Sequence, residues 1–222
     1  MIGIERNASL KYRRTYKLNS KICILDYGSG NVASVRNSFD RLGLESFISN
    51  EALDIVRASH LVLPGVGAFK ASMEKIENKL PLDVIRAQIS LGKPFLGICV
   101  GMQVFAESGF EFEIYPGLNL IPGSEVIELP TTVPKPHVGW DSIEIQKNHA
   151  ILNNIDDGAD FYFVHSYFLS KIDSLSLIAS CDYGLKFPAV LARDNLIGVQ
   201  FHPEKSQNNG DKLLRNFVEL IV

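Results

Sequence analysis

Short apolar runs alternate with amphipathic stretches along the first half of the chain. The run at 22–25 ends in the turn sequence DYGSG, and apolar residues then recur at helical spacing until Gly43. A further helical pattern begins at Pro81. Strands and helices that alternate at this spacing predict right-handed βαβ units on a parallel sheet. The other apolar runs of this half lie at 44–48, 61–63 (ending at Pro64-Gly65) and 95–98.

The second half of the chain has a different pattern, with turns rather than helices between its apolar runs. A helical pattern returns only near the end, over about 210–221. The predicted fold class is α/β, with a central, mostly parallel sheet flanked by helices and an antiparallel addition in the second half. One late strand should return to the parallel part. The strands expected here lie at 125–129, 142–145, 161–164, 175–179 and 196–201.

The amino-acid composition limits the classes of partner that the protein is expected to bind. The 222 residues suit one α/β domain, and 22 basic against 25 acidic side chains give a net charge of −3. This balance argues against nucleic acid as a partner, and no apolar run approaches the roughly 18 to 20 residues that span a membrane. Residues 1–20 are basic, lack the apolar core of a signal peptide and are expected to be a peripheral extension. Residues 21–222 are the predicted domain.

The three cysteines, Cys23, Cys99 and Cys181, are far apart and odd in number. They predict neither a disulfide framework nor a metal site, and they favour a cytoplasmic location. We interpret Cys23 and Cys181 as buried core thiols, the commonest state of a free cysteine. The glycine-rich turns match neither the dinucleotide fingerprint nor the Walker pattern, so no cofactor is predicted.

Cys99 lies where a predicted strand turns into a predicted helix that starts near Met102. In the sequence GICVG it is flanked by Gly97 and Gly101, the cysteine counterpart of the turn that presents the nucleophile of many hydrolases. Glycine at both positions permits a sharp turn, because a side chain there would collide with neighbouring backbone. The sulfur should then lie at the carboxyl edge of the sheet, where a helix N-terminus favours thiolate. We therefore expect Cys99 to be a catalytic nucleophile.

A second reactive group follows the last predicted strand. The segment GVQFHPEKS places His202 at the end of that strand and Glu204 two residues later. Pro203 biases the backbone before it towards the extended conformation, in which these two side chains project from the same side. An imidazole that accepts the thiol proton, oriented by a carboxylate, would complete a catalytic triad with Cys99.

Taken together, these segments resemble the class I (triad-type) glutamine amidotransferases, and within that family the branch that serves histidine biosynthesis. The resemblance covers about residues 21–222. Each motif alone is short, but their order and spacing are specific. In chain order they are DYGSGN at 26–31, LPGVGAF at 63–69, GICVGMQ at 97–103, GLNLIPG at 117–123, PHVGW at 136–140, FVHSY at 163–167 and GVQFHPEKSQ at 198–207.

The resemblance implies a glutaminase that releases ammonia from L-glutamine. Cys99 would attack the side-chain amide, and His202, oriented by Glu204, would act first as general base and then as general acid. Matching positions also imply backbone amides that hold the oxyanion of the tetrahedral intermediate, and residues that bind the substrate. The implied oxyanion residues are Val66, Gly67 and Val100, and the implied substrate-binding residues are Gly65, Gln103, Glu111, His165, Ser166 and Tyr167.

The resemblance also implies a partner. Members of this branch form heterodimers with a (β/α)8-barrel synthase subunit, which receives the ammonia and makes imidazole glycerol phosphate. Trp140 and Lys205 fall where the resembled proteins meet that barrel. Because glutaminase activity without an acceptor wastes ammonia, we hypothesise that partner and acceptor binding reorient the peptide that links Gly65 to Val66 and Gly67.

Three alternatives stay open. A paralogous subunit could use the same chemistry to feed another acceptor, such as a surface sugar; Ser29, Phe110 and Phe112 depart from the commonest pattern of the histidine branch, and the chain carries an extension. A stand-alone cysteine hydrolase or peptidase could use the same turn and would need no partner. A catalytically inactive binding protein is the third, although all three triad positions are intact.

Overall fold

Two sheets and six helices form residues 21–220, which are the residues that the computed structural model describes. The basic segment 1–20 and residues 221–222 lie outside the described residues. The helices are α1 (Val32–Arg41), α2 (Ala52–Arg57), α3 (Phe69–Lys79), α4 (Leu82–Ser90), α5 (Val100–Gln103) and α6 (Gln207–Glu219). The strands are β1 (Ile22–Leu25), β2 (Ser46–Ser49), β3 (His60–Gly65), β4 (Phe95–Cys99), β5 (Ala106–Gly109), β6 (Tyr115–Pro116), β7 (Ile121–Glu128), β8 (His137–Ile145), β9 (Asp160–His165), β10 (Tyr167–Ser170), β11 (Leu177–Asp182), β12 (Lys186–Arg193) and β13 (Leu196–Val199).

The larger sheet has nine strands in the order β2-β1-β3-β4-β13-β12-β11-β8-β9. Its first five strands run parallel to their neighbours, and the pairs from β13 to β9 are antiparallel. The smaller sheet has the order β10-β7-β5-β6. The predicted α/β class, with a parallel sheet and an antiparallel addition, is therefore confirmed. Strand β13 is the late strand that returns, and it pairs with β4 so that Gly198 lies opposite Gly97.

The central strands are apolar because both of their faces are covered. Every residue of β1, β3, β4 and β13 is buried, as expected for parallel strands packed between helices. Helix α1 buries Val35 and Phe39 on one face, and Gly43, with φ +69°, allows the chain to turn back after it. In residues 21–220 no helix is both long enough and apolar enough to cross a membrane.

Some elements were not predicted from the sequence. Helix α3 was missed although it buries Phe69, Met73 and Ile76 at helical spacing. Strand β12 is buried along its whole middle, so it lacks the alternating pattern of a half-exposed strand. Strands β5, β6 and β10 have only two to four residues, too few for a periodic signal. Strand β3 also continues through Pro64 and Gly65, where an end was predicted.

His60 is a buried histidine between the sheet and the last helix. It begins β3, its ring packs edge-on against Phe217 of α6 at a centroid distance of 5.2 Å, and its Nδ1 lies 2.9 Å from the Ser59 hydroxyl. Burial lowers the pKa of His60 from 6.5 to about 4. The folded protein therefore keeps this ring neutral at pH values at which the unfolded chain protonates it.

We expect His60 to make the protein less stable in mild acid. Its stabilising contribution is complete above pH 6.5 and is lost as the pH falls towards about 4, a loss on the order of 3 kcal/mol. In urea unfolding at several pH values, His60→Asn should lose part of the slope of unfolding free energy against pH. Ser59→Ala keeps the imidazole and should retain that slope. Identical slopes for His60→Asn and the wild type would contradict the prediction.

Candidate active site

The turn at Cys99 is strained, and its neighbours explain how it forms. Cys99 has φ 54° and ψ −111°, a conformation that costs a non-glycine residue on the order of 1–3 kcal/mol. A Cβ on Gly101 would lie 1.8 Å from the carbonyl oxygen of Leu63, and one on Gly97 would lie 2.5 Å from the carbonyl oxygen of Gly101. Both positions therefore require glycine, for the steric reason predicted from the sequence.

The helix after Cys99 differs from the prediction. Helix α5 begins at Val100 rather than near Met102 and contains four residues. Since a macrodipole is the sum of many aligned peptide dipoles, a single turn contributes little of it. The predicted helix effect on the sulfur is correspondingly small, and the groups that act on Cys99 come from other segments of the chain.

His202 and Glu204 form a buried pair. His202 Nδ1 lies 2.8 Å from Glu204 Oε1, and both side chains are fully buried. The expectation of an extended chain through Glu204 is wrong, because Pro203–Lys205 is a 3-10 turn. Proline is well suited to the first position of such a turn, and Ser206 Oγ fixes it with a 2.7 Å hydrogen bond to the His202 carbonyl. The turn itself brings the carboxylate to the imidazole.

The charge on His202 depends on its neighbours. Burial by itself lowers the pKa of this imidazole, but the interactions with Cys99 and Glu204 outweigh it and raise the pKa to about 10. His202 is therefore protonated at neutral pH and stabilises negative charge beside it. By contrast, burial raises the pKa of Cys23 and of Cys181 to about 12, which leaves these two thiols protonated and unreactive.

A small cleft opens at the carboxyl edge of the parallel strands. Its volume is about 150 Å³, the size of a small molecule rather than of a chain segment. It unites the predicted oxyanion residues with Cys99, His202 and most of the predicted substrate-binding residues. The residues that line the cleft are Val66, Gly67, Cys99, Val100, Gln103, Glu111, Val164, His165, Ser166, Tyr167 and His202.

Two of the predicted site residues lie just behind this lining. Glu204 contacts the cleft through His202. Gly65 pairs with Cys99 across β3 and β4, and a Cβ there would lie 2.5 Å from the amide nitrogen of Gly101. Gly65 thus allows β3 to approach the turn. Within residues 21–220, no cluster of three or more His, Cys, Asp or Glu side chains could hold a metal ion.

The far wall of the cleft is built from hydrogen-bonded polar groups. The Tyr167 carbonyl accepts from Gln103 Nε2 at 2.7 Å and from His165 Nδ1 at 3.0 Å. His165 Nε2 lies 3.1 Å from His137 Nδ1. Burial, followed by the neighbouring His137, lowers the pKa of His165 to about 3, so this ring is neutral. Glu111 Oε2 accepts from the Phe69 amide at the start of α3 at 2.5 Å.

Trp140 and Lys205 lie outside the cleft, on the surface. Trp140 is 47% exposed, and its ring meets that of Tyr162 edge-on at a centroid distance of 6.0 Å. Lys205 Nζ lies 5.5 Å from the centroid of the same Tyr162 ring. Val138, two residues before Trp140 on β8, is also exposed. We call Val138, Trp140, Tyr162 and Lys205 the Trp140 patch.

Two polar neighbours of the predicted triad were not predicted from the sequence. Asn31 Nδ2 donates to Glu204 Oε1 at 3.2 Å, and Ser29 Oγ donates to Asn31 Oδ1 at 2.8 Å. Gln200 Nε2 donates to Cys99 Sγ at 3.7 Å. Both residues lie in motifs that were recognised in the sequence. Asn31 ends the DYGSGN motif after β1, and Gln200 precedes His202 by two positions.

The sequence is similar to those of known proteins from one family. The family model "Glutamine amidotransferase class-I" matches residues 23–220. The chain is 40% identical over 208 residues to the imidazole glycerol phosphate synthase subunit HisH of Geobacter sulfurreducens, covering 90% of this chain and 99% of the relative. It is 42% identical over 201 residues to HisH of Oceanobacillus iheyensis, covering 90% and 99%. It is also 42% identical over 205 residues to HisH 2 of Pseudomonas aeruginosa, covering 90% and 100%.

Solved structures share the fold at lower identity. The structure of PurLQS from Thermotoga maritima superposes with a TM-score of 0.68 at 18% identity, covering 89% of this chain and 97% of that one. A crystal structure described as a glutamine amidotransferase gives a TM-score of 0.69 at 17% identity, again covering 89% and 97%. At these identities the likeness concerns the fold alone.

Replacement of Gly101 by alanine should disrupt the turn, because the new Cβ would overlap the Leu63 carbonyl oxygen. We expect a loss of at least about 3 kcal/mol in unfolding free energy, measured by urea denaturation. Gly30→Ala is the matched control, since a Cβ there lies 3.7 Å from Val66 Cγ2, and it should cost less than about 1 kcal/mol. Equal costs for the two variants would contradict the steric explanation.

The raised pKa of His202 should depend on its two partners. In NMR titrations of the imidazole resonances, Glu204→Gln and Cys99→Ala should each move the His202 pKa downwards from about 10, because burial then acts with less opposition. Glu74→Gln, on an exposed face of α3, should leave it in place. A His202 titration that is the same in the wild type and all three variants would show that neither partner sets its charge.

Proposed function

The chain belongs to the class-I glutamine amidotransferase family of enzymes, and from that we propose that it is the glutaminase subunit of an imidazole glycerol phosphate synthase in histidine biosynthesis. Relatives with that name are about as long as the predicted domain and are 40–42% identical to it. The observation that carries the catalytic part is the 2.8 Å contact of Glu204 with His202, which lines the same cleft as Cys99.

In the proposed first half-reaction, the Cys99 thiolate attacks the side-chain carbonyl carbon of L-glutamine. A C–S bond forms and the carbonyl electrons move to oxygen, giving a tetrahedral intermediate. His202, protonated at neutral pH because its pKa is raised, then gives its proton to the departing nitrogen as the C–N bond breaks. Ammonia leaves, and a thioester remains on Cys99.

Water completes the reaction. His202, now neutral, accepts a proton from water as the water oxygen attacks the thioester carbonyl. The C–S bond then breaks, the new carboxyl group gives its remaining proton to solvent as glutamate leaves, and the thiolate and imidazolium are restored. Glu204 holds the imidazole through Nδ1, so that Nε2 is the nitrogen that transfers the proton in both half-reactions.

Backbone amides should hold the negative oxygen of both intermediates. Val66, Gly67 and Val100 line the cleft beside the nucleophile, and their N–H groups are the proposed donors. Gly67 has φ +99°, and a Cβ placed on it would meet no atom within 4 Å. Because glycine adopts positive and negative φ with similar ease, Gly67 permits a change in the orientation of its peptide, which supports the proposal that partner and acceptor binding turn this donor towards the substrate.

Substrate recognition should rely on the polar wall of the cleft. Glu111 lines the cleft, and its carboxylate is suited to the α-ammonium group of glutamine. Both N–H bonds of the Gln103 amide are engaged, by Tyr167 and by Gln200, so Gln103 can offer the substrate only its oxygen as an acceptor. Gly65, His165, Ser166 and Tyr167 would shape the rest of the binding site.

We assign the Trp140 patch to the partner, a (β/α)8-barrel synthase subunit that receives the ammonia. Exposed aromatic residues such as Trp140 are typical of the groups that dominate protein interfaces. The patch also continues into the cleft, since Val138 and Trp140 of β8 pair with Val164 and Tyr162 of β9, and Val164 lines the cleft.

A paralogous subunit that feeds another acceptor, such as a surface sugar, is the second candidate. The observation that favours it is an exposed apolar loop around Glu111, in which Phe112 is 94% exposed and Ile114 is 69% exposed. An acceptor enzyme other than the histidine barrel could bind this loop. The glutaminase chemistry would be the same.

The decisive experiment measures glutamate release by the chain alone, with a histidine-branch barrel protein, and with that barrel loaded with its nucleotide-derived acceptor. We expect stimulation of roughly 10²-fold or more in the loaded complex, the effect of gaining one oxyanion donor. Cys99→Ala should abolish the activity in every case, by a factor of at least about 10³. Cys181→Ala removes a buried thiol outside the cleft and should leave the activity unchanged.

Other outcomes identify the alternatives. Equal activity alone and in the loaded complex would indicate a stand-alone hydrolase. Full activity only with a different acceptor enzyme would indicate the paralogue. Unchanged histidine-pathway flux in cells that carry Cys99→Ala would indicate a protein that binds its partner without catalysis.

A further inference from the structure

A fully buried amide lies beside the proposed nucleophile without an assigned role. Gln200 has no solvent exposure, and its Nε2 lies 3.7 Å from Cys99 Sγ. Its backbone amide donates to the Ala189 carbonyl at 3.0 Å, so β12 holds this residue in position. The side chain therefore reaches the sulfur from a backbone segment that is anchored to the sheet.

The orientation of the Gln200 amide follows from its neighbours. Gln103 Nε2 is 2.7 Å from the Tyr167 carbonyl, which can only accept, so this end of Gln103 must be the NH2 group. The same nitrogen lies 3.2 Å from Gln200 Oε1, which must then be the acceptor. The NH2 group of Gln200 is thereby directed at the sulfur.

The contact between Gln200 Nε2 and Cys99 Sγ differs in strength between the two protonation states of Cys99. A neutral thiol is a weak acceptor, whereas a thiolate accepts a charge-assisted hydrogen bond. The opposing contact is the Val164 carbonyl, 3.8 Å from Sγ, which as an acceptor favours the thiol. The amide donor of Gln200 offsets this effect of the Val164 carbonyl, because it favours the thiolate. An apolar side chain could fill the same space and, unlike a buried amide, would need no hydrogen-bond partner.

We propose that Gln200 is a further catalytic residue, whose amide donates to the Cys99 thiolate and whose direction is fixed by Gln103 and the Tyr167 carbonyl. The proposal deepens the proposed glutaminase function and rests on Cys99 as its nucleophile. Gln103 then has two tasks, since it lines the cleft and also aims the neighbouring amide.

The test measures alkylation of Cys99 by iodoacetamide against pH, with the modified peptide quantified by mass spectrometry. In Gln200→Met the pH of half-maximal rate should rise by about one to two units. The rate at pH 7 should fall correspondingly, by roughly 10- to 100-fold. Gln146→Met makes the same change at an exposed amide and should leave the profile unchanged.

A second variant guards against misfolding. Gln200→Asn keeps the amide but shortens the side chain by one methylene, so it should no longer reach the sulfur and should shift the profile in the same direction. Circular dichroism and thermal unfolding establish which variants are folded. A folded Gln200→Met or Gln200→Asn protein whose profile matches that of the wild type would overturn the proposal.

The same assay separates this proposal from the proposed glutaminase function. Alkylation requires neither glutamine nor a partner, so the pH profile reports on the sulfur and Gln200 alone. Glutamate release that survives Cys99→Ala would instead overturn the glutaminase mechanism, whatever the alkylation profile shows.

Discussion

The close approach of β3 to the turn after β4 is the constraint on which the rest of the site depends. A Cβ on Gly101 would overlap the Leu63 carbonyl oxygen, and one on Gly65 would overlap the amide nitrogen of Gly101, so the two segments approach this closely only with glycine at both positions. This contact holds Cys99 in its left-handed conformation, because relaxing the turn would separate tightly packed backbone. It also sets the cleft, since the loop that carries Val66 and Gly67 leaves β3 at this point.

Parallel pairing brings His202, the proposed partner of Cys99, to the same edge of the sheet. Strand β13 lies next to β4, so the chain that follows each strand emerges on the same side of the sheet. The two segments are far apart in sequence, as the separation of 101 positions between Gln200 and Cys99 illustrates. A sheet that orders its strands in this way converts distant motifs into neighbours without requiring a long loop.

Burial then gives these contacts their strength. His202 and the Glu204 side chain are removed from water, and Asn31 adds a hydrogen bond to the same carboxylate. In such surroundings an unpaired polar group is costly and a paired one interacts strongly. Burial lowers the pKa of both His165 and His202, but only at His202 do contacts with Cys99 and Glu204 outweigh it, so that the pKa of His202 is raised and that of His165 is lowered.

Structural features that depend on adjacent residues were predicted from the sequence, and several other elements were not. The glycines around Cys99 predicted the turn after β4, and the segment before His202 predicted strand β13, although that strand ends at Val199 rather than at residue 201; each feature depends on a few adjacent residues. Helix α3 was missed although its apolar residues recur at helical spacing, and Pro188 interrupts the apolar run of strand β12. The 3-10 turn at Glu204 was missed, although Pro203 is a signal for it.

The fold class, the turn at Cys99 and the residues that could form a triad followed from the amino-acid order, because periodicity, glycine sterics and motif spacing are properties of neighbouring positions. The contact of Asn31 with Glu204 and the aim of the Gln200 amide at the sulfur emerged only from the folded chain. The direction of that amide depends on the Tyr167 carbonyl and on Gln103, groups from separate elements whose alignment exists only once the sheets have formed.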